Sequence, residues 1–298
     1  MARKTISADR LCRSQSPCVA WLCRLILACP FLLLAQNREL KFERIGLEHG
    51  LSQSTVYGIL QDRQGFLWFS TQAGLNKYDG YNFTSYQHDI FDSTSISGNV
   101  VWTIYEDHTG TLWAGDPNVA CLNRFERETE RFKRFVHDPK NPNSLSAGGP
   151  LAIYEDHTGT LWIGTNNGLN RFDREKEQFT RYLHDTKNPN SLYGYVVFSM
   201  YEDLSGTLWI GTERWLNKFD REKEQFIHYE LAPSAKPIIA IFEDRAGTLW
   251  VGSEGAGLKK FNRETEQFAH FFHDPQNPHS ISSDSVRAIY EDRSGALW

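Results

Sequence analysis

Cysteine is scarce where it could staple a fold. Of the five present, Cys12, Cys18, Cys23 and Cys29 fall in the first 29 residues and Cys121 stands alone beyond them. Once such a leader is removed no intrachain disulfide is available, and the spacings match no zinc pattern, so the fold rests on packing. Excess positive charge is also missing. Lys and Arg total 32 against 37 Asp and Glu, a net charge of −5, and the basic residues are dispersed. That excludes the electrostatic footprint of a nucleic-acid binder. No His-Glu-x-x-His, nucleophile elbow or dinucleotide fingerprint occurs, so neither an enzyme activity nor a cofactor is expected of these residues.

Long apolar runs are confined to the N-terminus. Arg3, Lys4, Arg10, Arg13 and Arg24 precede an eleven-residue run, Leu25 to Ala35, that is almost wholly aliphatic apart from Pro30. A basic start, a short apolar core and a small residue at its end read as a secretory signal cleaved after Ala35. Counting from Val19 lengthens the stretch to seventeen residues with Arg24 inside, which keeps an uncleaved membrane anchor as the alternative. Residues 1–36 are therefore assigned as signal peptide or anchor, and 37–298 as the exported domain.

What is abundant is repetition. An acidic residue, a glycine and a Leu-Trp pair return six times: Asp62, Gly65, Trp68; Asp107, Gly110, Trp113; Asp156, Gly159, Trp162; Asp203, Gly206, Trp209; Asp244, Gly247, Trp250; Asp292, Gly295, Trp298. The tryptophans are 45, 49, 47, 41 and 48 residues apart. A period in the forties marks one supersecondary unit per copy, stacked on its neighbours.

Within the third copy, Leu151–Glu155 alternates like a strand and Asp156–Gly159 is a turn. Leu161–Thr165, Leu169–Phe172 and Gln178–Tyr182 follow as three more strands, separated by Asn166-Asn-Gly168 and a polar hairpin. Four short antiparallel strands per period make an all-β propeller blade. The Trp, on the second strand, is expected between blades. Blades are placed at about 54–96, 97–145, 146–192, 193–236 and 237–282, with a partial sixth at 283–298; Leu40–Arg44 would complete a last blade. Ring closure abolishes sheet edges, so the five complete blades and the partial one read as an incomplete piece of a larger ring.

Gly50-Leu-Ser-Gln-Ser-Thr-Val56, Ile59–Trp68 and Gly74-Leu-Asn-Lys-Tyr-Asp-Gly-Tyr-Asn-Phe83 resemble the first blade of the two-component regulator propeller repeat family, and the later copies resemble its middle blades. The resemblance implies a seven-bladed ring and the exported sensor part of a bacterial transmembrane signalling protein. It implies a position at the periplasmic face of the inner membrane, dimerisation through the full-length protein, and a downstream membrane helix leading to a histidine kinase or diguanylate cyclase output. None of that output lies within these residues.

The six Asp residues are spread around a rim and cannot pair for acid–base catalysis, which needs two carboxyls within about 10 Å; they read as turn formers. The His-Asp pairs (His88-Asp89, His137-Asp138, His184-Asp185, His273-Asp274) head separate interblade loops and read as caps, not metal ligands. No metal site is expected. The face carrying the Asp turns repeats almost unchanged, whereas the opposite face varies, and function on rigid scaffolds concentrates in variable loops. Its candidates for contact with a small-molecule or oligosaccharide ligand are Trp102, Asp116, Asn166, Asn167, Tyr193, Tyr195, Glu213, Arg214, Trp215 and Glu254. A protein-interaction scaffold and a glycan-active enzyme are the alternative functions.

Overall fold

The computed structural model describes residues 44–231 and 236–298; the N-terminal signal or anchor, and nearly all of Leu40–Arg44, lie outside them. A single turn of 3₁₀ helix, Leu47–His49, is the sole helical element among the described residues, and none is long and apolar enough to cross a membrane. Everything else regular is strand.

Twenty strands form five four-stranded antiparallel sheets, each in simple sequential order. Blade 1 comprises β1 (Val56–Gln61), β2 (Leu67–Thr71), β3 (Gly74–Tyr78) and β4 (Phe83–Tyr86); blade 2 comprises β5 (Thr103–Glu106), β6 (Leu112–Gly115), β7 (Cys121–Glu126) and β8 (Arg131–Val136). Blade 3 runs β9 (Pro150–Glu155), β10 (Leu161–Thr165), β11 (Gly168–Asp173), β12 (Gln178–Tyr182). Blade 4 runs β13 (Ser199–Glu202), β14 (Leu208–Gly211), β15 (Trp215–Asp220), β16 (Gln225–Glu230), and blade 5 β17 (Ile238–Glu243), β18 (Leu249–Ser253), β19 (Leu258–Asn262), β20 (Gln267–Phe271). First strands of successive blades touch (β1 with β5, β5 with β9, β9 with β13, β13 with β17), so they form the inner edge of the propeller. The sixth copy holds its Asp292 turn and a bridge between Glu291 and Leu297.

The motif tryptophans of blades 1 to 4 pack forward onto the next blade. Trp68 lies among Leu112, Phe125 and Phe132 of blade 2, Trp113 among Leu161, Phe172 and Phe179 of blade 3, and Trp162 and Trp209 repeat the arrangement against blades 4 and 5. All four are fully buried, with the third-strand Phe of the next blade edge-on to the indole at 5.1–5.3 Å. Such aromatic pairs add about 0.5–1.5 kcal/mol beyond the area they remove from water. The glycine two residues after the Trp serves the same interface. A Cβ on Gly164 would lie 2.5 Å from Val197 of the next blade, so no larger residue fits without separating the sheets.

Candidate functional site

The two ends of the blades are chemically different. At one end, the turn Asp of each copy divides its carboxylate between two tasks. One oxygen accepts the backbone N–H groups two and four residues ahead, as Asp156 does from Thr158 and Thr160 at 3.0 Å each. The other accepts the indole N–H of the Trp six residues on, at 2.7–2.9 Å in all six copies. The motif thus fixes turn and wedge with one side chain.

An arginine from the next blade completes the arrangement. Arg127, Arg174, Arg221 and Arg263 follow the third strand of blades 2 to 5, and each reaches back to the Asp of the preceding blade at 2.5–2.9 Å. Their other terminal nitrogens donate to Glu106, Glu155, Glu202 and Glu243 at 2.6–2.8 Å. Those glutamates in turn accept the N–H following the Asp of the preceding blade, as Glu155 does from His108 and Glu202 from His157. Burial pushes the Asp107 carboxyl up, but hydrogen bonds from Thr109, Trp113 and Arg174 outweigh it and hold the group at about 2. This end is an interblade clamp, in which Asp, Trp, Arg and Glu are bonded to one another at each of the four joints between blades 1 and 5. The sequence reading recognised the Asp but not the Glu or Arg; their signal was the recurrent Glu-Asp pair and the Arg just beyond each third-strand Phe.

At the opposite end, the turns between second and third strands meet the next interblade loop. Gly74 donates to Asn99 and Gly168 to Tyr195, both at 2.6 Å, and Gly257 to Asp284 at 2.8 Å. Each of these glycines has positive φ (98°, 95° and 73°), a backbone that side chains resist. In blade 4 the position is Trp215, which is not in that region; its N–H turns to the Thr212 hydroxyl at 3.3 Å rather than to the next interblade loop. The altered turn delivers the indole to the surface.

There the candidates converge. The Tyr193 ring lies 4.4 Å edge-on to Trp215 and 4.4 Å from His228, nearly parallel to it. His184 touches Tyr193 at 4.8 Å and Tyr195 at 5.0 Å, and Trp215 meets His228 at 5.6 Å. Tyr195 is 53% exposed and Trp215 is half-buried. Arg214 flanks the group and pairs with Glu230. Burial, then the neighbouring His184, push the His228 imidazole below its usual range, and its Nδ1 has no partner among the described residues. Neither histidine belonged to the candidate set read from the sequence.

Of the remaining candidates, Glu213 borders this cluster through the Tyr195 N–H and the others belong to other blades. Asp116 is buried, with its carboxylate accepting the N–H groups of Val100 and Asn118; Glu213 likewise accepts from Tyr195 and Val196. Both staple their loops rather than display a carboxylate. Asn166 ties blade 3 to blade 2 through the Pro117 carbonyl at 2.6 Å, and Asn167 sits beside it, half-buried. Trp102 pairs with Tyr57 at 4.7 Å across the first strands of blades 1 and 2, and Glu254 pairs with Arg287. The four His-Asp loops share one geometry: the His Nδ1–H donates to a carbonyl eight residues on, and the Asp N–H to a Ser hydroxyl six residues on. No group of three metal-binding side chains occurs among the described residues.

A family model described as two component regulator propeller matches residues 50–73, 95–118, 144–167 and 233–255, which are the leading halves of blades 1, 2, 3 and 5. Among solved structures, the chain is similar to the extracellular domain of what is described as a hybrid two component system from B. thetaiotaomicron. The two share 29% identity and a TM-score of 0.68, over 86% of this chain and 40% of that one. Virginiamycin B lyase from Staphylococcus aureus, at 16% identity and a TM-score of 0.59 over 82% of this chain and 76% of its own, shares the fold alone. A 65-residue stretch, 22% of this chain, is 49% identical to histidine kinase P4 of Formosa agariphila and spans 5% of that protein. The chain thus spans well under half the length of the signalling proteins it matches. With the repeated blade geometry, these matches show that four of the blades carry two component regulator propeller repeats.

Proposed function

We propose that the chain is the exported ligand-sensing propeller of a two-component-type signalling protein, and that ligand is received on the variable end at blade 4. One observation carries this reading. The clamp end turns its Asp, Trp, Arg and Glu onto one another at each joint, whereas the variable end of blade 4 presents Tyr193, Tyr195 and Trp215 together on a rigid sheet. Aromatic faces beside hydrogen-bonding groups suit a saccharide, whose C–H faces stack while its hydroxyls bond polar neighbours such as Arg214 and Glu230. Binding would bias an equilibrium between arrangements of the whole protein only through different affinity for the two, most simply two arrangements of a dimer at the membrane. The likeness to an extracellular domain of a two-component-type system supports export and sensing.

Isothermal titration against a panel of oligosaccharides and small metabolites tests this. A saturable ligand is expected, with affinity reduced about tenfold or more in Trp215→Ala and unchanged in Trp102→Ala. Silence across the panel would favour an interaction scaffold, and binding indifferent to Trp215→Ala would move the site off blade 4.

A further inference from the structure

Overlaying the blades exposes a substitution with chemical consequences. The third-strand Asn of blades 2, 3 and 4 (Asn123, Asn170, Asn217) pairs across to Arg134, Arg181 and His228 on the fourth strand. In blades 2 and 3 that arginine reaches back into the preceding His-Asp loop. Arg134 Nε donates to the Ser95 carbonyl at 2.8 Å, and its Nη2 to the Asp92 carbonyl at 3.0 Å and the Ser95 hydroxyl at 2.8 Å. Arg181 does the same with Ser144 at 2.6 Å and Asn141 at 2.8 Å. The loop is therefore a carbonyl nest whose natural occupant is a guanidinium.

The loop before blade 4 keeps the geometry. His184 Nδ1–H donates to Leu192 at 3.0 Å, Asp185 N–H to the Ser191 hydroxyl at 3.0 Å, and Ser191 N–H to Asn188 at 3.0 Å. What changes is the visitor. His228 is too short to span the gap, lies flat against Tyr193, and makes no hydrogen bond to these carbonyls. A second replacement accompanies it: Tyr193 stands where blades 2 and 3 have Ser97 and Ser146, since all three donate their N–H to the third-strand Asn. No guanidinium reaches the Asn188 and Ser191 carbonyls among the described residues. Asn188, Ser191 and Leu192 also line a cleft of about 190 Å³ together with Arg181 and Glu224, the latter paired with Arg171; a similar cleft borders the loop before blade 2, so it gives access to the nest rather than marking the missing arginine.

We infer that this nest receives a guanidinium or ammonium group of the ligand, taking the place that Arg134 and Arg181 fill in the neighbouring blades. The Asn188 and Ser191 carbonyl oxygens favour a cation, and the aromatic cluster of His184, Tyr193 and His228 beside them adds π surface. The inference rests on the sensing role proposed for blade 4 and adds a chemical class: a ligand with a cationic nitrogen group as well as a face for the indole.

The test uses the 298-residue chain and two isosteric probes, methylguanidinium and neutral methylurea, followed by amide chemical shifts. Methylguanidinium should cause saturable shifts at Asn188, Ser191 and His228, and methylurea none. His228→Arg should bring the chain's own guanidinium into the nest and weaken the probe at least about tenfold. If the longer side chain cannot fit against Tyr193, Tyr193→Ser/His228→Arg restores the pair found in blades 2 and 3 and should do the same, with a raised Tm. Equal response to both probes, or undiminished methylguanidinium binding in a folded arginine variant, overturns the inference. Neither result touches the sensing role, which is read separately from the oligosaccharide panel and Trp215→Ala.

Discussion

The two ends of this propeller are built from the same repeats under opposite constraints. At the clamp end, Asp, Trp, Glu and Arg recur in register because each blade must present one half of a joint and receive the other. At the variable end of blade 4, Trp215, Tyr193 and His228 replace the Gly, Ser and Arg of its neighbours, yet the sheet beneath is unchanged. The difference teaches that stability and recognition have been separated along the strand direction. Substitutions at one end should unfold the protein and at the other should leave it folded.

The largest effect is expected in the wedge. Trp162→Ala removes a fully buried indole from the Phe219 and Phe226 cluster and leaves Asp156 with one donor fewer. A loss of about 3–5 kcal/mol follows from cavity formation alone, read as a fall in the urea midpoint. Trp215→Ala, at the other end, should cost under about 1 kcal/mol because the indole is half-exposed. Comparable losses at both positions would break the separation.

Next is the clamp itself. Arg174→Met leaves the buried Asp107 carboxylate without its cation and should cost about 2 kcal/mol. Its pH dependence has a definite sign. Asp107 titrates at about 2 in the fold, below the ordinary Asp value near ~3.9, so its contribution is complete above about pH 4 and is lost as pH falls through about 2. Without the guanidinium the depression is smaller, so the loss should still begin at about pH 4 but be smaller and be complete at a higher pH. Urea midpoints of both proteins between pH 6 and 2 check this: curves that stay parallel throughout would show that Arg174 acts by packing alone.

How far the sequence disclosed these features follows from the range of each interaction. Strand positions were legible because six copies could be superposed, and a turn such as Asp156–Gly159 is decided by residues adjacent in the chain. The Trp wedge was legible too, since a side chain repeated on a second strand has only the next blade to face. The Arg of the clamp was not, because it acts on an Asp 60–67 residues earlier in a different blade. Asp116 and Glu213 looked available for ligand because they vary between copies. Their variation has another cause: each carboxylate accepts the N–H groups of its own neighbouring loop, and so changes with the loop it holds. His228 was hidden for a similar reason. Its meaning lies in the arginine it replaces, and that arginine's task became visible only with the loop carbonyls in place.

The smallest expected effect tests how the clamp end tolerates strain. In blades 2 to 5 the hairpin after the third strand closes on a glutamate with positive φ: Glu130, Glu177, Glu224 and Glu266, all between 50° and 53°. Glycine would take that conformation with about 1 kcal/mol less strain. The glutamates instead serve the preceding blade: Glu177 pairs with Arg124 at 2.9 Å and with Lys133, and Glu130 with Lys77 at 2.8 Å. Glu177 is about a third exposed, so its two pairs together contribute on the order of 1 kcal/mol after screening. Strain and pairing should therefore nearly cancel. Glu177→Gly is expected to shift the urea midpoint little at 0.15 M salt, and to stabilise at 1 M salt, where the pairs are screened and the strain relief remains. A clear destabilisation that persists at high salt would mean that Glu177 holds the blades together by contact rather than charge, and that the joint between blades extends from the buried clamp to the outer strands.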